Sequence, residues 1–226
     1  MEGSMENGLD RETAFMGKLT AGATHEMKNV LAIIGESVGL LEDLMGLPNA
    51  QDFPHRERFL KAFGSVRDQV RRGTGVLTHL NRFAHSADRE TAAVSLGDVL
   101  EDLRVLSERF LRRRSISFQV VREGEGPVVE TSPVRLQMLL FRVITAVAQA
   151  LAEGERFQVR CGPGEGGGAA VILSWPGTAL GPEGLRRLKE ALADGALGDL
   201  ARDLGVSLDG DAAGVRLRLG SRQDVS

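Results

Sequence analysis

Leu19-Thr20-Ala21-Gly22-Ala23-Thr24-His25-Glu26-Met27-Lys28-Asn29-Val30-Leu31-Ala32-Ile33-Ile34 is the stretch from which the rest of the chain is best read. Its apolar residues belong to a longer series: Met16, Leu19, Ala23, Met27, Val30, Ile34, Val38, Leu41 and Met45. Every step in that series is three or four residues, the spacing of one face of an α-helix. The spacing predicts one helix over residues 15–45. Gly46 and the run Leu47-Pro48-Asn49 stop it, and Pro54 opens a second helix over residues 55–86. The second helix carries Phe59, Phe63, Val66, Val70, Leu77, Leu80 and Ala84 at similar spacing. Gly73 and Gly75 weaken its middle, each costing about 1 kcal/mol relative to alanine.

Each helix is about 30 residues long, or roughly 45 Å at 1.5 Å per residue. A single pair of that length leaves apolar surface uncovered. Two pairs from two chains cover it as a dimeric four-helix bundle of antiparallel hairpins. The pattern therefore predicts a homodimer.

His25 points away from that stripe. At about 100° per residue it lies roughly 190° from the stripe's centre, and so faces solvent. Lys18, Gly22, Asn29, Ala32 and Glu36 share the exposed side. Gly22 and Ala32 keep the backbone around the imidazole accessible, and with Lys18 and Glu36 they form the predicted docking surface for a partner. Phosphoryl transfer to histidine needs a neutral ring nitrogen, a group that orients or deprotonates the ring, and an open in-line path. Histidine is partly neutral near pH 7. Glu26 is the candidate orienting base. Asn29, one turn on, is placed to orient a water or a phosphoryl group. His55, His79 and His85 have no such surroundings and read as solvated surface residues.

Composition narrows the classes. The net charge of −3 provides no general attraction to nucleic acid. Cys161 is the only cysteine, so no intrachain disulfide forms, which fits a reducing, cytoplasmic setting. No Cys/His cluster has zinc-ligand spacing. The opening MEGSMENGLDRE is polar and acidic and lacks an apolar signal core. No apolar run reaches the roughly 20 residues needed to cross a bilayer, so no membrane insertion is expected.

The second half changes character. Residues 87–94 read as a polar linker. Ser95, with Asp98 three residues on, reads as the N-cap of a helix that ends near the cationic run Arg112-Arg113-Arg114. Strands are predicted over 117–122 and 128–130, a strongly apolar helix from Ser132-Pro133 to about 152, and a hairpin over 156–161 and 169–175. A helix follows from Gly181-Pro182-Glu183 to about 193, then a short helix near 197–204 and a last hairpin over 206–208 and 215–219. Strands packed under a few helices make a two-layer sandwich. The glycine-rich run Gly162-Pro163-Gly164-Glu165-Gly166-Gly167-Gly168 joins two strands and lacks the Gly-Lys-Ser/Thr of a phosphate loop, so it reads as a hairpin loop. The fold class is α+β: a flexible tail over 1–13, a helical hairpin over 14–87 and an α/β sandwich over 95–222.

The stretch quoted at the outset resembles the H-box of two-component sensor histidine kinases, whose HExxN core sits on the first helix of a dimerisation and phosphotransfer hairpin. That resemblance implies that His25 is the phosphoacceptor, Glu26 the acid/base helper and Asn29 a residue linked to phosphatase activity. The second half resembles the ATPase domain that follows the hairpin in that family, with degenerate motifs. Residues 136–146 resemble its N-box, but Phe141 and Thr145 stand where asparagines are usual, and the latter position helps hold Mg²⁺. Trp175-Pro176-Gly177-Thr178-Ala179 stands at the DxGxG motif, with Trp175 in place of the adenine-binding aspartate. The nucleotide lid and second glycine box have no counterpart. The resemblance thus implies a histidine phosphotransferase that exchanges phosphoryl groups with response-regulator receiver domains. An upstream hybrid kinase is a further partner. This chain itself binds no cofactor, and Mg²⁺ is supplied by the partner receiver. A sensor kinase or receiver phosphatase, and a non-catalytic pseudokinase binding module, are the alternatives.

Overall fold

The computed structural model describes residues 2–47, 53–122, 124, 126–164, 168–177 and 179–220, and within these all side chains except those of 2–19, 22, 23 and 109. The chain divides into two compact units, residues 1–88 and 89–226.

The first unit is a helical hairpin. Helix α1 runs Glu2–Gly46 and α2 runs Arg56–His85, followed by a 3-10 turn, Ser86–Asp88. α1 begins inside the stretch 1–13 that the sequence assigns to a tail; that stretch holds Glu, Met and Arg, good helix formers, and no proline. The turn residues Pro48 and Asn49 lie outside the described residues. Arg56 closes the hairpin by donating from Nε to the Met45 carbonyl at 2.9 Å, satisfying an end group of α1. Phe53 packs on Phe59, with ring centroids 5.4 Å apart, and pins the entry to α2.

The stripe predicted for α1 resolves into two faces. One faces α2: Thr24 and Val38 are buried, Gly35 lies against Val70, and Leu31 seats over Gly73. A Cβ on Gly73 would stand 3.0 Å from Leu31 Cδ1, so this glycine provides space for the close approach of the helices. The other face, Met27, Val30, Ile34, Leu41 and Leu44, is between 39% and 55% exposed. At about 100° per residue the two faces are roughly a quarter-turn apart. Periodicity alone merges them, because a helix with two neighbouring apolar faces shows the same steps of three and four.

The second unit is a two-layer α/β sandwich. Its elements are β1 (Ala92–Ser95), α3 (Leu96–Arg112), β2 (Ser117–Val121), β3 (Val128–Thr131), α4 (Pro133–Ala150), β4 (Arg156–Pro163), β5 (Ala169–Ser174), α5 (Pro182–Leu192), α6 (Gly195–Asp203), β6 (Val206–Gly210) and β7 (Gly214–Leu219). The main sheet has the order β2-β4-β5-β7-β6. β2 runs parallel to β4, and the other neighbours are antiparallel. Burial alternates along the strands, as a sheet covered on one side requires: Phe157, Val159 and Cys161, then Val171 and Leu173, then Val215, Leu217 and Leu219 point into the core. They meet the apolar side of α4, including Leu136, Leu140, Val143 and Val147.

Two differences from the sequence expectation have clear causes. The predicted linker over 87–94 contains β1, which pairs antiparallel with β3, Val94 opposite Val129. A four-residue strand exists only because a distant partner strand completes it, and local pattern does not register that. Arg114 does not serve the helix it ends. Its guanidinium donates to Ala148 O at 2.7 Å and Leu151 O at 3.0 Å, capping α4 instead. The N-cap at Ser95 is as expected, with the Asp98 amide donating to Ser95 Oγ at 3.3 Å. The tip of the glycine-rich loop, 165–167, lies outside the described residues.

Candidate functional site

His25 is held on the middle of α1, one residue after the buried Thr24, and is exposed. Asn29, Ala32 and Glu36 are exposed on the same side; Lys18 and Gly22 lie outside the described side chains. At about 100° per residue, His25 lies roughly 100° from the seam with α2 and roughly 160° from the exposed apolar face. Covering that apolar face therefore leaves the imidazole open. No hydrogen bond or ion pair joins His25 to any described residue, Glu26 included. Neighbouring residues on a helix diverge by about 100°, so Glu26 does not face the ring, whereas Asn29 at i+4 does lie above it.

Thr24 and Asn81 are the pair that sequence patterning misses. Thr24 is 2% exposed, and its Oγ stands 2.8 Å from Ala21 O and 3.1 Å from Asn81 Oδ1. The signal available was the phase of the seam: Thr24 is seven residues before Leu31, and Asn81 lies between the buried Leu77 and Ala84.

In the second unit, the positions that resemble nucleotide motifs are occupied by groups already engaged. The Phe141 ring packs edge-on against Phe110 at 5.7 Å. The Thr145 hydroxyl donates to the Phe141 carbonyl at 2.7 Å. Trp175 is buried, and its indole N–H donates to Ala212 O at 2.8 Å. The cleft beside α4, about 310 Å³, is lined by Phe141, Arg142, Thr145, Gln149, Asp194 and Leu197. Its one carboxylate, Asp194, accepts from the Ala196 amide at 3.0 Å as the cap of α6. Mg²⁺ requires several hard oxygen ligands, and adenine requires an acceptor for its amino group. These residues do not fit a nucleotide with its metal. Among the described residues no cluster of three or more His, Cys, Asp or Glu is placed to hold a metal ion. Nor is any helix there long and apolar enough to cross a membrane.

No family model matches the chain. Over 141 residues it is 23% identical to the C4-dicarboxylate transport sensor protein DctS of Rhodobacter capsulatus, a match that takes in 62% of this chain and 21% of that protein. The chain thus spans about a fifth of that relative's length. Among solved structures it is similar to the catalytic domain of histidine kinase ThkA, with 14% identity, 59% of this chain, 98% of that chain and a TM-score of 0.43. It is also similar to the cytoplasmic segment of histidine kinase QseC, with 13% identity, 59% and 80% coverage and a TM-score of 0.42. A third is ThkA in complex with the response regulator protein TrrA, with 16% identity, 96% and 65% coverage and a TM-score of 0.45. The proteins to which the chain is similar are thus a transport sensor protein and histidine kinases.

Proposed function

We propose that this chain is a histidine phosphotransferase of two-component signalling, working as a homodimer in the cytoplasm. A receiver domain carrying an aspartyl phosphate docks over His25, Asn29, Ala32 and Glu36. A neutral ring nitrogen of His25 attacks phosphorus in line. The N–P bond forms as the P–O bond to the aspartate breaks, the carboxylate leaves, and the ring proton passes to water or to a reoriented Glu26. The reverse step delivers the phosphoryl group to another receiver. The receiver supplies Mg²⁺, which neutralises charge on the transferring group. The observation that carries this reading is the exposure of His25 on the side of α1 away from the exposed apolar face, combined with engaged groups at the nucleotide positions. These two features favour exchange with a partner over ATP-driven autophosphorylation.

A second reading, receiver dephosphorylation, draws support from Asn29: it is exposed one turn from His25 and its amide can orient a water. The experiment is incubation of the purified chain with radiolabelled ATP·Mg²⁺ and, separately, with a radiolabelled receiver. Label arriving from the receiver and not from ATP is the expected result. Label from ATP alone makes the chain an autokinase, and loss of receiver label without its appearance on the chain makes it a phosphatase.

A further inference from the structure

Between α1 and α2, Thr24 and Asn81 stand among apolar contacts, some distance along the helices from the Arg67–Glu42 ion pair. Gly35 meets Val70 and Leu31 meets Gly73, while Leu77 and Ala84 are buried on α2. Thr24 meets Asn81 within this line. The three contacts share one antiparallel register: as residue numbers rise from 24 through 31 to 35 on α1, they fall from 81 through 73 to 70 on α2. Thr24 has one hydroxyl proton and two neighbouring oxygens, Ala21 O and Asn81 Oδ1. Turning the Asn81 amide end for end satisfies both contacts. Its NH₂ then donates to Thr24 Oγ, and Thr24 donates to the Ala21 carbonyl.

We infer that Thr24 and Asn81 form a positioning latch for His25; this rests on the phosphotransfer reading. Apolar seams of small and branched residues tolerate slippage and rotation, whereas a polar pair made of the buried Thr24 and the half-buried Asn81 has one satisfied arrangement and loses its hydrogen bonds in every other. Placed one residue before His25, the latch fixes both the rotation of α1 and its axial position on α2. It thereby sets the direction in which the imidazole leaves the bundle. Thr24 touches neither partner nor phosphoryl group, so its effect is on alignment. In-line transfer is sensitive to that alignment: a displacement on the order of 1 Å is enough to slow such reactions about 100-fold.

The test compares Thr24→Val, which keeps the shape and removes the hydroxyl, with Thr24→Ser, which keeps the hydroxyl. Asn81→Leu and the Thr24→Val/Asn81→Leu double variant complete the set. Transfer from a phosphorylated receiver is measured as kcat and KM, alongside Tm and amide exchange over residues 21–28. Thr24→Val is expected to lower kcat about tenfold or more, with KM within twofold of the parent. Thr24→Ser is expected to stay within about twofold of the parent. The double variant, which replaces the polar pair by apolar side chains, is expected to keep or raise Tm while transfer stays slow; a merely structural pair would lose transfer only as Tm falls. Wild-type transfer by Thr24→Val overturns the latch. If the parent exchanges phosphoryl groups with no receiver, the phosphotransfer reading fails by itself. Amide exchange then decides the latch: faster exchange over 21–28 in Thr24→Val sustains it, and unchanged exchange overturns it.

Discussion

The indole Nε1 of Trp175 donates to the carbonyl oxygen of Ala212 across 2.8 Å, in the interior of the α/β unit. By resemblance this is the place of an aspartate that accepts from adenine. Here the position offers a donor, and that donor is already used. Phe141 and Thr145 complete the change, one with no oxygen to offer a metal and the other with its hydroxyl bonded to its own helix. The chain is therefore expected not to bind ATP·Mg²⁺ usefully. Calorimetric titration should give a dissociation constant above about 100 µM, roughly −5.5 kcal/mol or weaker. A tighter constant would mean that the nucleotide contacts come from other residues.

The exposed face of α1 leads to a prediction about assembly. Met27, Val30, Ile34, Leu41 and Leu44 form an exposed apolar face broken only by Ser37, of the kind that marks an interaction surface. Light scattering at micromolar concentration should report about twice the 24.3 kDa chain mass. Ile34→Glu, in the middle of the stripe, should return the mass to that of one chain, because a charge buried at the interface has no partner. A parent protein that scatters as a single chain contradicts the dimer.

Much of the architecture was legible because its signals are local. The steps of three and four in α1 and α2, Pro133 and Pro182 at helix starts, and the alternation in β4, β5 and β7 all act within a few residues. The exposed position of His25 was legible for the same reason, through its phase on the helix. What escaped depends on distant partners. β1 needs β3, Arg114 serves α4 instead of α3, and Thr24 matters only because Asn81 faces it from the other helix. Glu26, adjacent to His25 in sequence, is not hydrogen-bonded to it here, since neighbours on a helix point in different directions.

Arg114 carries a stability prediction. Its fork holds two carbonyls at the end of α4, Ala148 O and Leu151 O, at 2.7 and 3.0 Å. Arg114→Ala should destabilise the α/β unit by about 1–2 kcal/mol, the range for charge-assisted hydrogen bonds at a partly exposed site. Urea denaturation should show a lower midpoint with an unchanged slope. Arg114→Lys should recover only part of the loss, because a single ammonium does not span both oxygens as the planar fork does. A midpoint equal to the parent's in Arg114→Ala would assign the capping of α4 to other groups.

Glu183 opens α5 and accepts from Arg186 at 2.8 and 3.1 Å and from Arg187 at 3.0 Å. The Arg186 hydrogen bonds, followed by those of Arg187, hold its carboxyl down to about 2. The folded value is below the unfolded one, near 4.3. Its contribution to stability is therefore complete above that value and is lost as pH falls through about 2. A carboxyl-detected NMR titration should place Glu183 below the other exposed glutamates. The gap should narrow in Arg186→Ala and in high salt, which screens so exposed a pair. A midpoint near the ordinary value in the parent would show that the arginines do not hold it in solution.

The most direct measurement follows radiolabel from a phosphorylated receiver to this chain and compares the parent with His25→Gln and His25→Ala. His25 is exposed, so either change should cost only about 0.5 kcal/mol of stability and leave the dimer intact. The parent should acquire acid-labile, base-stable label, and a peptide containing His25 should carry it. Glu26→Ala should slow the transfer without abolishing it, since general-base help is typically worth 10²–10⁴-fold and the nucleophile itself is retained. Both His25 variants should acquire none. Acid-labile, base-stable label on His25→Ala would place the phosphoacceptor at another histidine and contradict the central assignment.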